Sequence, residues 1–266
     1  MAFRKLGLSG GGIKGVMHIG ALLELSKHQP LHFPDGVYGI SIGAIIGTYV
    51  AFGIPLENTT KYLSFDNVIP KPSFATVSKM FSEKGLCSME MFRAELIRGF
   101  SEFGIDIESK KIGDANMPLN IIASNITKGV ATIFTRDVSV LDALAASCCL
   151  PGLFKPYELY GELFIDGGIF VPCTSCLIPD GLNLFLIKHR EISITPANVK
   201  EMMPFDFIKQ VYDMSMSLHS KRSRSNTTVC LEYPKLVLTS DLDDFDVQDI
   251  LQKSGDQLKS FLLTKS

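Results

Sequence analysis

The spacing of apolar and polar positions changes period several times along the chain, and each change predicts an element. Residues 3–8 form a short apolar-rich run that stops at Ser9-Gly10-Gly11-Gly12, the pattern of a strand entering a loop. Residues 13–28 then switch to helical spacing, with Ile13, Val16, Met17, Ile19, Leu22, Leu23 and Leu25 apolar, and Pro30 and Pro34 end the run. Residues 37–40 predict a second strand and 42–52 a buried helix. A strand, glycine loop, helix, strand, helix order opens a parallel α/β sheet.

Farther on, residues 55–84 are mixed and proline-containing, and predict peripheral helices or a lid. Residues 89–103 predict a helix with Met89, Phe92, Leu96, Ile97 and Phe100 on its apolar side. Residues 119–126 and 130–134 predict strands joined as a hairpin across Thr127-Lys128-Gly129. A short helix over 141–149 is stopped by Pro151, a brief strand over 163–165 precedes Asp166-Gly167-Gly168, and 182–188 predicts a further core strand. The last third is predicted helical, with amphipathic helices at 205–217 and 247–263 joined by a short strand at 235–238. There is no internal repeat or low-complexity linker, so the expectation is one domain over residues 1–266.

Composition narrows the class. The chain has 266 residues, 46% hydrophobic and 20% charged, enough apolar side chains to bury a core. A net charge of -2 argues against a general nucleic-acid binder, which needs a basic field. The N-terminal MAFRKLGLSGGG is too short and glycine-rich for a secretory leader, so six cysteines in a chain of this length read as reduced thiols of a cytoplasmic protein. Residues 37–56 carry no charge, a length that approaches a membrane span, but four glycines and a proline interrupt them. A strand, a tight turn and a buried helix give the same mean hydropathy.

Three glycine-rich segments carry the candidate chemistry. Gly39-Ile40-Ser41-Ile42-Gly43 is a G-x-S-x-G sequence between a predicted strand and a predicted helix, the context of a nucleophile elbow. The bland alternative is a glycine-rich turn whose serine caps the helix. Ser9-Gly10-Gly11-Gly12-Ile13-Lys14-Gly15 can turn several main-chain amides toward one point, and such donors stabilise a developing oxyanion by roughly 3 kcal/mol each. The same letters satisfy G-x-G-x-x-G, a dinucleotide site. That fold wants an acid at the end of the second strand to hold the ribose, whereas here the strand delivers Ser41 and the nearest acid, Asp35, precedes it. Asp166-Gly167-Gly168 places an acid at a strand end, and its bland alternative is a D-G turn.

SGGGIKG, GISIG and DGG in this order, with Ala146-Ser147-Cys148-Cys149-Leu150-Pro151 between the last two, resemble the patatin-like phospholipase family over about residues 5–188. The resemblance implies an α/β fold with a mostly parallel central sheet sandwiched by helices. It implies a Ser-Asp dyad of Ser41 and Asp166, an oxyanion hole from Gly10, Gly11 and Gly12, and no metal or other cofactor. Its implied substrates are phospholipids or other acyl-ester lipids, so the protein is expected to be a carboxylic ester hydrolase without nucleic-acid partners. Peripheral contact with membranes or lipid droplets is expected rather than secretion. Two departures stand out: Pro172 and Thr174 occupy positions where the family often has Asn and Pro, and Ser9 stands where many members have Asp.

A free serine hydroxyl is a weak nucleophile and needs a base within reach. A desolvated aspartate is a better base than a solvated one, because burial penalises its charged form. The competing mechanism is a Ser-His-Asp triad drawing on His18, His28, His32, His189 or His219, with His189 and His219 favoured by their place after the acid. Cys173-x-x-Cys176 lacks a second pair at zinc-finger spacing and reads as two thiols. Lys221-Arg222-Ser223-Arg224, after a helix bearing Phe205, Ile208, Val211, Tyr212 and Met216, reads as a solvated helix end or an anionic-lipid contact. The C-terminal helix, with Ile250, Leu251, Leu258, Phe261 and Leu262, is expected to pack on the sheet. A nucleotide-binding oxidoreductase and a catalytically silent lipid-binding module remain as alternatives.

Overall fold

The computed structural model describes residues 2–63, 68, 82–187, 194–202, 204–222, 224–234 and 244–265. The strands are β1 (Leu6–Leu8), β2 (Val37–Ile40), β3 (Gly85–Cys87), β4 (Leu119–Asn125), β5 (Val130–Phe134), β6 (Gly152–Phe154), β7 (Tyr157–Leu159), β8 (Glu162–Asp166), β9 (Leu182–Leu186) and β10 (Thr228–Leu231). The helices are α1 (Val16–Ser26), α2 (Ile42–Ala51), α3 (Glu90–Ser101), α4 (Val140–Ser147), α5 (Pro204–Arg222) and α6 (Asp244–Leu263). The expected α/β architecture is present. The main sheet runs β10-β9-β1-β2-β4-β8-β7, with β5 also on β4. Its β10, β9, β1, β2 and β4 are parallel, while β5, β8 and β7 are antiparallel additions.

The central strands are apolar on both faces because both are covered. All residues of β1 and β9 are buried, as are all ten of α2, which accounts for the uncharged stretch at 37–56 as strand, turn and buried helix. No described helix is long and apolar enough to cross a membrane. One face of β2 and β4 puts Val37, Ile121 and Ala123 into the main core with α1 and α2. The other face puts Ile40 and Ile122 against Val171, with Tyr38 and Leu177 at the margin. Burying each such aliphatic side chain contributes about 2 kcal/mol.

Several expectations need correction. The helix expected from residue 13 begins with a tight 3-10 turn, Gly12–Gly15, and becomes α-helical at Val16. The last third contains β10, a parallel edge strand where only helix and a strand at 235–238 were expected; residues 235–238 lie outside those described. The C-terminal helix α6 meets the sheet at its edge strand β10 and lies mainly on α1. Its approach to α1 is close: a Cβ on Gly20 would stand 2.4 Å from the Leu251 carbonyl oxygen, so glycine is required there. The short β3 and β6 pair with each other as a separate parallel ribbon, and β7 extends the main sheet through a proline-containing segment.

Of residues 55–84, two 3-10 turns are described, Leu56–Asn58 and Thr60–Tyr62; residues 64–67 and 69–81, most of the expected lid, lie outside the described set. The basic stretch, expected after the helix, begins inside it and is divided: Lys221 and Arg222 are exposed in the last turn of α5, whereas the Arg224 guanidinium sits 4.6 Å from the Phe185 ring centroid. All six cysteines are free; Cys173 is buried with its Sγ 2.9 Å from Ser175 Oγ, and Cys176 is exposed.

Candidate active site

Strand β4 organises the site. β2 pairs with its first half in parallel, ending with Ile40 opposite Ile122. β8 pairs with its second half antiparallel, ending with Asp166 opposite Ala123. Since β5 pairs with residues 121–125 of β4, overlapping both, β2 and β8 share the opposite edge of β4. They run toward each other, and their carboxyl ends meet at the Ile122–Ala123 step. The turns carrying Ser41 and Asp166, far apart in sequence, are therefore brought together by strand register.

Ser41 stands at φ 54 and ψ -126, a conformation few non-glycine residues adopt and one that costs on the order of 1–3 kcal/mol. This is the sharp strand-to-helix turn expected of a nucleophile elbow. Its flanking glycines have steric reasons. A Cβ on Gly39 would lie 2.4 Å from Ala44 Cα, and one on Gly43 would lie 2.3 Å from the Leu8 carbonyl oxygen. Only bare main chain lets β2 fold onto α2, and α2 onto β1, this tightly. Ser41 makes no side-chain cap for α2, contrary to the bland alternative, and its hydroxyl is half-buried.

Asp166 is 7% exposed. Its main chain is fixed at both polar atoms: the amide donates to the Cys149 carbonyl at 2.8 Å, and the carbonyl accepts from Ser124 Oγ at 2.9 Å. Its Oδ1 accepts from the Gly168 amide at 2.8 Å and so caps the following 3-10 turn, Gly167–Ile169. Gly167 is required for contact, since a Cβ there would stand 2.2 Å from the Ile122 carbonyl oxygen. The departure at Thr174 bears on the sheet rather than on Asp166, because Thr174 Oγ1 donates to Asn183 Oδ1 at 2.8 Å.

The glycine loop lies against the serine turn. A Cβ on Gly10 would be 3.2 Å from Ser41 Cβ, and Gly12 takes φ 58, which favours glycine. Among the described residues, the amides of Gly10, Gly11 and Gly12 have no protein acceptor. The base of the loop is held by Ser9, whose Oγ accepts from the Leu186 amide at 2.9 Å. His18, wholly buried on α1, donates Nε2–H to the Ser9 carbonyl at 2.9 Å. Burial pushes the His18 imidazole down to about 4, so the ring is neutral at ordinary pH.

The histidine alternatives are dispersed. His18 uses Nε2 on Ser9, His28 pairs with Glu24 at 3.1 Å on an exposed helix end, and His32 and His219 are exposed. His189 lies outside the described residues. Nor does the second strand end on a ribose-holding acid: Asp35, before β2, is bound by Arg4 at 2.7 Å. Among the described residues, no group of three His, Cys, Asp or Glu side chains converges as a metal site.

Two residues at the end of α4, Ser147 and Cys148, lie in the segment that carries the family resemblance but were assigned no role there. Ser147, fully buried, accepts from the Ser41 amide at 2.9 Å and donates to the Ile122 carbonyl at 2.6 Å. Cys148 contacts the Ser41 side chain and feels the charge of Asp166; burial and that charge raise its thiol well above the usual range, so it is protonated. The available signal was a lone serine in the apolar run Leu141 to Cys149, where a buried hydroxyl must find partners.

Comparison with known proteins gives consistent results. The family model described as Patatin-like phospholipase matches residues 6–177. Human 1-acylglycerol-3-phosphate O-acyltransferase PNPLA3 is 32% identical over 180 residues, covering 62% of this chain and 33% of that protein. Probable lipid hydrolase 463L of Invertebrate iridescent virus 6 is 31% identical over 183 residues, covering 63% of this chain and 60% of that protein. The chain thus spans less than two thirds of both relatives. The crystal structure of VipD from Legionella pneumophila superposes with a TM-score of 0.57 at 13% identity, over 98% of this chain and 67% of that one, a likeness of fold.

Proposed function

This chain belongs to the patatin-like phospholipase family, and we propose that it is a lipid acyl hydrolase that cleaves phospholipid or other glycerolipid esters through an acyl-enzyme on Ser41. The observation that carries the reading is the meeting of β2 and β8 on one edge of β4, which sets a strained serine beside a buried aspartate. Ser41 Oγ attacks the ester carbonyl carbon while its proton passes to Asp166. With Asp166 only 7% exposed, bulk water competes little for that proton. The carbonyl oxygen gains negative charge and is met by amides of Gly10, Gly11 and Gly12, donors that cost no reorganisation because they have no other protein acceptor. The C–O bond breaks, and the departing alkoxide takes the proton from Asp166. Water then attacks the acyl-enzyme, giving its proton to Asp166, and the fatty acid leaves as Ser41 recovers its own.

Substrate class follows from the family and from the name of the viral relative, a probable lipid hydrolase. Such substrates reside in membranes or lipid droplets, so the protein acts at a lipid surface as a peripheral visitor. A second reading rests on the human relative, named as an acyltransferase. The same acyl-enzyme would pass its acyl group to a glycerolipid hydroxyl instead of water, with Asp166 taking the acceptor proton.

The test is labelling by a fluorophosphonate, which reacts quickly only with an activated serine, followed by a panel of lipid esters. Wild type is expected to label and to release fatty acid, and Ser41→Ala to do neither. Full esterase turnover by Ser41→Ala would end the proposal. Transfer of labelled acyl chains to lysophosphatidic acid, in preference to water, would favour the second reading.

A further inference from the structure

The three residues Ser147, Cys148 and Cys149 leave the end of α4 and touch both candidate catalytic turns. Ser147 Oγ takes the Ser41 amide, and the Cys149 carbonyl takes the Asp166 amide. Between them the Cys148 thiol contacts the Ser41 side chain. The Ser147 hydroxyl has a single proton, and that proton goes to the Ile122 carbonyl at 2.6 Å. Its lone pairs are thereby turned toward Ser41, so this side chain is an acceptor of defined direction for a residue in a costly conformation. Ile122 is also the last residue of β4 opposite β2, one step from the residue opposite Asp166.

We propose that Ser147 is a positioning residue for the nucleophile: its hydroxyl links the Ser41 amide to the Ile122 carbonyl and so sets the direction of Ser41 Oγ toward Asp166. This rests on the reading of Ser41 as nucleophile. An unpinned Ser41 amide would let the turn relax out of its left-handed φ, rotating Oγ away from the aspartate. The fold has other supports for the same segment, including the Ala44 amide on the Ser41 carbonyl at 2.8 Å and the close glycine contacts. Loss of the hydroxyl therefore acts on reactivity more than on folding.

The experiment compares wild type, Ser147→Ala, Ser147→Cys and Ser254→Ala. Ser254 is an equally buried serine on α6, bonded to the Ile250 carbonyl at 2.7 Å and remote from the site. Each protein is titrated with a fluorophosphonate, so that rates are expressed per reactive serine. For Ser147→Ala, the labelling rate and kcat per site are expected to fall together by about 10- to 100-fold, with KM within about twofold, as befits a small misplacement of a reacting atom. Ser147→Cys, whose thiol is a weaker partner of similar size, is expected between Ser147→Ala and wild type. Ser254→Ala is expected to lower the melting temperature while leaving the per-site rate unchanged. A Ser147→Ala protein that loses melting temperature but keeps its per-site rate overturns the assignment. Should that protein not fold, an unchanged per-site rate in Ser147→Cys overturns it equally. Ser41→Ala serves as the second arm: if it keeps activity, the catalytic reading itself fails, whereas an inactive Ser41→Ala beside an unaltered Ser147→Ala removes this inference alone.

Discussion

The serine turn and the glycine loop face each other across the candidate site, yet they are built on opposite terms. Around Ser41, added atoms at Gly39 and Gly43 would collide with main chain, at 2.4 Å from Ala44 Cα and 2.3 Å from the Leu8 oxygen. Around the loop, an added atom at Gly11 would meet the Leu186 side chain rather than main chain, at 2.6 Å from Cδ1 and 3.2 Å from Cβ. The serine turn is thus boxed in by main chain and pinned at its amide by Ser147, while the loop is held at its base by the side chains of Ser9 and His18.

The largest effect on chemistry is expected where the two converge. Asp166→Asn keeps an oxygen for the Gly168 amide but cannot accept the Ser41 proton, and turnover should fall by about 1,000-fold or more with the melting curve nearly unchanged. Steady-state kinetics beside circular dichroism would check both halves. Gly43→Ala then tests the skeleton: because the obstruction is the Leu8 carbonyl, α2 must move off β1, and about 3 kcal/mol or more of stability should be lost in urea melts. Retention of wild-type stability would break the comparison.

The support of the loop is read through pH. His18 has its folded value depressed from 6.5 to about 4, so unfolding takes up a proton between those values. Its contribution is fully present above pH 6.5 and is lost as pH falls toward 4, on the order of 3 kcal/mol in all. A His18→Gln side chain can still donate to Ser9 but does not titrate, so that share of the pH slope should vanish in melts between pH 7 and 4. A smaller effect on stability is expected from Gly11→Ala, about 1–2 kcal/mol as Leu186 shifts, with turnover down roughly tenfold because an oxyanion donor moves. A stability loss as large as that of Gly43→Ala would erase the distinction between the serine turn and the loop.

These contrasts also explain what could be read from the letters. β1, α1, β2 and α2 were legible because each has a clean period bounded by glycine or proline, and the hairpin of β4 and β5 because a glycine turn separates two β-rich runs. Ser41 and Asp166 were legible as strand ends, and the family resemblance named their partners. The geometry joining them was not: nothing local in residues 162–166 says that β8 runs antiparallel to β4 on the edge already used by β2. β3, β6 and β7 have three residues each and sit among glycine and proline, too short for any period to show. β10 follows a basic cluster and resembles the end of a helical region until β9 is seen to accept it. Ser147 stands in a matched segment without a role of its own, because its two partners, the Ser41 amide and the Ile122 carbonyl, are distant in sequence.

With β2 and β8 laid end to end along β4, that strand acts as a ruler engraved with both marks. Loops between Ser41 and Asp166 that stay clear of α2 and of Ser147 to Cys149 can grow or shrink without altering the gap between hydroxyl and carboxylate. A one-residue insertion within Ile121 to Ser124, by contrast, would move one mark and leave the other. Tolerance to length change should accordingly drop to a sharp minimum at those four positions.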